Sequence, residues 1–214
     1  MKVGILGSGD VAQALGHGFL ATGHSVRLGS RNPDAEGLVA WRSAAGPAAS
    51  TGSFASATEF GELVVVATRG VELASTVQLA GEPHFAAKVV IDVTNPLVFS
   101  PAGVPSLSVG HDDSAGEQLQ RLLPRAHVVK AFNIVGNQHM FRPKFPGGPP
   151  DLFFCGNDAA AKKTVQGILE SFGWNTIDIG GIEGSRLLEP LCLLWVNSAR
   201  QLGSWDIAFK LLRK

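Results

Sequence analysis

The chain opens Lys2-Val3-Gly4-Ile5-Leu6-Gly7-Ser8-Gly9-Asp10-Val11-Ala12, and an apolar-periodic run continues to Thr22. Gly23-His24 breaks that run, Ser25 to Leu28 reads as extended, and Gly29-Ser30-Arg31-Asn32-Pro33 follows. The pattern is strand, glycine-rich turn, helix, strand and basic-polar turn. Its order and length are those of a βαβ unit that binds a dinucleotide. Each small residue has a physical task. Gly7 lets the chain leave the strand in a tight turn, Gly9 lets a pyrophosphate approach the backbone, and Ala12 allows helix to pack close on strand. A helix starting at about Asp10-Val11 turns its unpaired N–H groups and positive dipole end, together with the Ser8 turn, toward the phosphates.

The end of the second strand indicates which dinucleotide. An NAD site usually places Asp or Glu about 20 residues after the glycines, to hold the ribose 2′-hydroxyl. Leu28-Gly29-Ser30 contains no acid, and Arg31 follows. A hydroxyl beside a guanidinium suits a 2′-phosphate, through charge-assisted and bidentate hydrogen bonds. The expected cofactor is therefore NADP.

Downstream, strand and helix patterns alternate. A helix is expected over 35–44, a short strand over 50–54, and a short helix opened by the capping-box pattern Ser56-Ala57-Thr58-Glu59. Leu63-Val64-Val65-Val66-Ala67 reads as a strand covered on both faces. Thr68-Arg69-Gly70 leads into a helix reaching about Leu79, and 88–93 is a second buried strand stopped by Thr94-Asn95-Pro96. Residues 99–113 read as a loop long enough to suspect a function. Ser114 caps a helix ended by Pro124; 127–132 is a strand with Asn133 at its end; 141–150, with four prolines, is a flap or a plain connector. A strand at 152–155, a helix capped by Asn157-Asp158, and a strand at 174–179 follow. A long apolar helix spans about 183–199, where Pro190 should kink it or start a new segment, and 205–212 is a shorter amphipathic stretch.

This alternation predicts an α/β protein of Rossmann type, with a doubly wound, mostly parallel sheet. One NADP-binding domain over 1–214 is expected, with 182–214 as a C-terminal helical lobe packed on it. Ligands of such sheets lie outside the carboxyl ends of the strands. Ser8, Ser30, Arg31, Thr68, Arg69, Thr94, Asn95 and Pro96 sit just past those ends.

Composition narrows the partners. Of 214 residues, 45% are hydrophobic and 17% charged, with a formal net charge of zero. A sizeable core is expected, while nucleic acid and anionic membrane surfaces are disfavoured as partners. Cys155 and Cys192 lie far apart in apolar runs and read as buried thiols of a cytoplasmic protein. The N-terminus does not read as a signal peptide, and Leu187 to Val196 is too short to span a bilayer. No serine elbow, His-Glu-x-x-His or Cys-x-x-Cys occurs, and His111-Asp112-Asp113 reads as solvated loop, so no metal site is expected. No catalytic acid–base residue stands out either; Lys130 reads as electrostatic. An NADP cradle without such apparatus fits hydride transfer to a second organic cofactor, where positioning is the protein's main contribution.

Five segments, in order, carry a resemblance: 7–12, 29–33, Ile91-Asp92-Val93-Thr94-Asn95-Pro96-Leu97, Val129-Lys130-Ala131-Phe132-Asn133 and Arg186-Leu187-Leu188-Glu189-Pro190-Leu191. The chain resembles the NADPH-dependent coenzyme F420 (8-hydroxy-5-deazaflavin) reductases. It is also similar to the oxidoreductase domain of six-transmembrane ferric reductases. The resemblance implies that Ser8, Gly9, Asp10 and Val11 hold the pyrophosphate and that Ser30 and Arg31 hold the 2′-phosphate. It places Thr68, Asn95, Pro96 and Leu97 along ribose and nicotinamide, and Asn133, Val135 and Gly136 where nicotinamide meets the acceptor ring. It implies a homodimer, and a small-molecule redox acceptor that is coenzyme F420 or a flavin. Where Asn133 aligns, archaeal members carry histidine; asparagine keeps a hydrogen-bonding side chain but carries no proton at neutral pH. Three functions remain open: NADP–deazaflavin hydride transfer, flavin or ferric reduction, and a non-catalytic NADP sensor.

Overall fold

The computed structural model describes residues 1–212 and 214. The opening unit folds as β1 (Lys2–Leu6), α1 (Asp10–Ala21) and β2 (Ser25–Gly29), followed by α2 (Glu36–Ala45), β3 (Ala49–Gly52), α3 (Phe54–Phe60), β4 (Leu63–Val66), α4 (Leu73–Ala80) and β5 (Val89–Asp92). The second part contains β6 (Leu97–Phe99), β7 (Pro105–Leu107), α5 (Ala115–Leu122), β8 (His127–Lys130), β9 (Asp151–Gly156), α6 (Ala159–Ser171), β10 (Asn175–Asp178) and α7 (Ser185–Leu202). Eight strands form one sheet in the order β10-β9-β8-β5-β4-β1-β2-β3. Neighbours run parallel except β8 and β9. This is the doubly wound, mostly parallel architecture expected from the sequence.

The central strands are apolar on both faces because each face meets helices. Leu63, Val65, Ile91 and Val129 point into one core with Leu15 and Phe19 of α1 and Val165 of α6. Val64, Val66, Val90 and Val128 point into the other, with Ala57 of α3, Val77 of α4 and Leu119 of α5. The period of two along each strand thus splits the chain's aliphatic residues between two layers.

Four local expectations change. The short helix begins at Phe54, capped by Ser53, whose side chain accepts from the Ser56 amide. The Ser-x-x-Glu pattern at 56–59 therefore lies inside the helix, whose first residue, Phe54, is buried. The strand expected over 50–54 accordingly stops at Gly52. Within 99–113, Pro105–Leu107 pairs antiparallel with Leu97–Phe99 as a hairpin, so that stretch is not all loop. Pro105 is tolerated because the pair stands outside the main sheet, with no further ladder to donate to.

The fourth change concerns the C-terminus. Pro190 lies within an uninterrupted α7, which ends at Gly203 in the left-handed region, φ 64°. No helix forms over 205–212; the chain runs past the start of β9 without regular secondary structure. The Asp151 amide donates to the Phe209 carbonyl at 3.0 Å, and the Trp195 indole donates to the Ile207 carbonyl at 2.9 Å. Ile207 and Phe209 pack on the core, which satisfies the apolar positions of this stretch without a helix. No helix among the described residues is long and apolar enough to cross a membrane.

Candidate functional site

Three adjacent strand ends, those of β1, β2 and β4, enclose a cavity of about 620 Å³. At the first, Gly7 adopts φ 140°, and a methyl group there would stand 2.6 Å from the Ala67 carbonyl oxygen. Only glycine meets both demands. The buried Ala12 lies directly behind it. Gly9 precedes α1 in an extended conformation with no side-chain cap, and a methyl group at Gly9 would meet open space. The first amides of α1 therefore keep free hydrogen-bonding capacity. The Ser8 carbonyl is held from behind by the Gln13 side-chain amide at 2.9 Å.

The second wall is the end of β2. Ser30 is buried, its amide tied to Gly52 O at 2.9 Å and its hydroxyl accepting from the Asn32 amide at 3.1 Å. Arg31 is exposed and forms no ion pair among the described residues. The third wall is the end of β4, where the Thr76 hydroxyl donates to Thr68 Oγ1 at 3.1 Å. Arg69 there leans on Glu72 at 3.7 Å in a solvent-exposed pair. Asn32, Ala35, Phe54 and Ala67 complete the lining.

Gly7, Ser8, Gly9, Ser30, Arg31 and Thr68 are thus brought together as expected, while Asp10 and Val11 lie just beyond, on the first turn of α1. Arg69 and Glu72 extend the site. Arg69 was legible as a residue past a strand end; Phe54 was not, because its position depends on the sheet order.

The remaining expected residues form a second cluster at the ends of β5 and β8. The Asn95 side-chain amide donates to Asn133 O at 2.8 Å, and the Asn133 amide donates to Asn95 Oδ1 at 3.0 Å. The Asn133 amide also reaches Leu188 O, 2.9 Å away in α7. Val135 and Gly136 follow as buried backbone, and Leu97 begins β6. Pro96 borders a separate cavity of about 340 Å³ with Gly70 and Ser108.

Beneath this cluster lies an ionic core that sequence reading missed. Lys130 is fully buried, its Nζ 2.6 Å from Asp92 Oδ2, 3.1 Å from Glu189 Oε1 and 2.9 Å from Thr94 O. Burial disfavours the ammonium, but the two carboxylates outweigh it and hold its pKa above the ordinary lysine value. Burial pushes the Glu189 carboxyl up, against the pull of Lys130 and of the α5 amides. Glu189 accepts from the Ala115 and Gly116 amides at 3.1 and 3.0 Å, at the N-terminus of α5. Lys130 is therefore an interior ion-pair partner rather than a charge facing a nucleotide. Both cysteines are buried and free, with Cys155 pushed up to about 11 and Cys192 to about 12 by burial. Among the described residues no group of three or more His, Cys, Asp or Glu is placed to hold a metal ion.

The open glycine turn, the uncapped helix start and the basic strand end define a dinucleotide-binding α/β protein. Comparison with known proteins carries this further. The profile of the family described as NADP oxidoreductase coenzyme F420-dependent matches residues 2–96. A solved structure of a candidate F420-dependent NADP-reductase from Arthrobacter sp. FB24 is 35% identical, covers 100% of both chains and superposes with a TM-score of 0.94. The rat metalloreductase STEAP3 is 32% identical over 96% of this chain. The F420-dependent NADP reductase of Methanocaldococcus jannaschii is 29% identical over 66% of it. The chain spans 38% of the rat protein's length and 63% of the archaeal one's. The chain belongs to the family of NADP oxidoreductases, coenzyme F420-dependent.

Proposed function

We propose that this chain binds NADPH in the cavity at the ends of β1, β2 and β4 and supports hydride exchange with a deazaflavin of the coenzyme F420 type. The observation that carries the NADP part is the joining of the uncapped α1 N-terminus with Ser30 and Arg31, without an acid, in one cavity. In this reading Ser8, Gly9, Asp10 and Val11 bind the pyrophosphate through backbone amides, and Arg31 with Ser30 binds the 2′-phosphate. Thr68, Asn95, Pro96 and Leu97 align the ribose and nicotinamide, and Asn133, Val135 and Gly136 back the place where the two rings meet. Bound NADPH supplies the hydride from its nicotinamide ring. The protein's part is orientation and exclusion of water. Lys130 has all three N–H donors engaged, and Asn133 carries no titratable proton, so neither is suited to general acid–base work.

Arg31→Ala tests the cofactor assignment. Losing a charge-assisted contact of about 1.5–3 kcal/mol weakens NADPH binding roughly ten- to hundredfold and leaves NADH binding unchanged. An unchanged NADPH/NADH preference in calorimetry refutes it.

A second acceptor class, a flavin with onward reduction of ferric iron, is kept because the 32% identity to a metalloreductase supports metal reduction as an outcome. Stopped-flow mixing with NADPH and deazaflavin, FMN, FAD or ferric chelate in turn separates the two. Tight NADPH binding with negligible turnover on all four would leave the NADP sensor instead. We also propose a homodimer, because Leu187 and Leu194 are 69% and 53% exposed on one face of α7 and Phe99 of the adjoining hairpin is 57% exposed. Sedimentation velocity of wild type and Leu194→Glu checks it; a monomeric wild type removes it. The two free, buried thiols fit a cytoplasmic setting, which fractionation of the host would test.

A further inference from the structure

The two halves of the site are built differently, and the ion cluster beneath the second half has no role in the scheme so far. Its centre is Lys130, whose three donors go to Asp92, Glu189 and the Thr94 carbonyl. Asp92 Oδ1 takes the Thr94 amide at 2.9 Å, so both backbone polar groups of Thr94 are fixed by the ion cluster. The next residue, Asn95, is clamped to Asn133, and its carbonyl accepts from the Gly70 amide at 3.2 Å. The ends of β4, β5 and β8 are thereby tied to one another, and α7 enters through Leu188 O and Glu189. Two polar atoms in this knot, Thr94 Oγ1 and Asn133 Oδ1, are buried without a hydrogen-bond partner among the described residues. A polar knot carrying uncompensated atoms costs stability compared with an apolar one of the same shape. Packing alone does not account for it.

We propose that Asp92, Lys130 and Glu189 act as positioning residues for the nicotinamide half of the cofactor. They fix the Thr94-Asn95-Pro96 turn at the end of β5 and make α7 part of the site. The inference rests on the NADP reading above and deepens it. Its physical content is selective. The adenosine half is held at β1, β2 and β4 by residues whose side chains form no hydrogen bond or ion pair with Asp92, Lys130 or Glu189 among the described residues, so loosening the cluster misplaces one half of the ligand more than the other.

The test compares NADPH with 2′,5′-ADP, which carries the 2′-phosphate and adenosine but no nicotinamide. Glu189→Gln keeps the shape and places an amide N–H₂ against donors. Calorimetry on this variant is expected to show 2′,5′-ADP affinity within about twofold of wild type and NADPH affinity down about tenfold or more, since small misplacement is costly where geometry does the work. Equal losses for both ligands, or no loss for either, overturn the proposal. A role in global stability alone would lower the melting temperature without changing the ratio of the two affinities.

Hydrogen exchange on the wild-type protein is independent of whether any variant folds. The amides of Thr94, Asn95, Leu97, Ala115 and Gly116 should gain protection with NADPH and not with 2′,5′-ADP; identical protection by both ligands overturns the assignment. Wild-type protein that binds neither ligand breaks the NADP reading itself and takes this inference with it.

Discussion

The ends of β1, β2 and β4 and the ends of β5 and β8 share one edge of the same sheet but are opposite kinds of surface. The first is open: an exposed Arg31, a 70%-exposed Arg69, and helix amides facing an unfilled volume. The second is closed, with Asp92, Lys130 and Glu189 at most 1% exposed. Affinity at the open end comes from groups with little to do in the free protein. At the closed end the same groups that shape the site also hold four elements together, β5, β8, α5 and α7. A change at the open end should therefore alter binding without altering the fold, and a change at the closed end should alter both.

The hardest test of that contrast is Lys130→Met. Removing the cation strands two buried carboxylates, which costs about 3–5 kcal/mol of folding stability, measurable by denaturant unfolding. A loss under about 1 kcal/mol would mean that the closed end is not held by charge. Arg31→Ala is the counterpart: its stability should stay within about 0.5 kcal/mol of wild type while NADPH binding falls. A clear drop in melting temperature there would erase the distinction between the ends.

Smaller effects sharpen the picture. The Ser114 side chain caps α5, whose first amides hold Glu189. Ser114→Ala should cost about 1 kcal/mol, with exchange at Ala115 and Gly116 rising most. The smallest effect concerns Asp113, whose carboxyl is held at about 2 chiefly by its hydrogen bond to the Arg121 guanidinium. A depressed acid contributes stability above its unfolded pKa and loses it as pH falls through the folded one. Asp113→Asn should therefore be slightly less stable than wild type at neutral pH, with the gap closing between about pH 4 and pH 2. The pair is solvent-exposed, so the gap should be small. A gap that persists below pH 2 would rule out the ion pair as its cause.

How much of this was readable beforehand follows the same division. Gly7, Gly9, Ser30 and Arg31 announce their end of the site because their constraints are local: a φ only glycine accepts, a helix start, a charge beside a hydroxyl. The closed end is made by partners far apart in the chain. Lys130 meets Asp92 across 38 residues, and Glu189 meets Gly116 and Ala115 across 73 and 74. No window of sequence displays such a pairing, so Lys130 read only as an electrostatic group near the nucleotide and Glu189 as a charge interrupting an apolar helix. The tail over 205–212 illustrates a third case. Its apolar spacing suited a helix equally well, but the stretch instead packs Ile207 and Phe209 on the core and accepts the Asp151 amide of β9 at the Phe209 carbonyl.

The position of Glu189, far along the sequence from Asp92 and Lys130, has a consequence for synthesis. Strands β5 and β8 can pair once residue 130 has cleared the ribosome, bringing Lys130 beside Asp92. The third member of the ion cluster arrives only with α7, so until then that cation must stay hydrated and the interior beneath it cannot dry. During growth on a ribosome, the residues that line the cavity at β1, β2 and β4 are all made long before Glu189. The open end is thus complete in the growing chain before the closed end, which waits for α7.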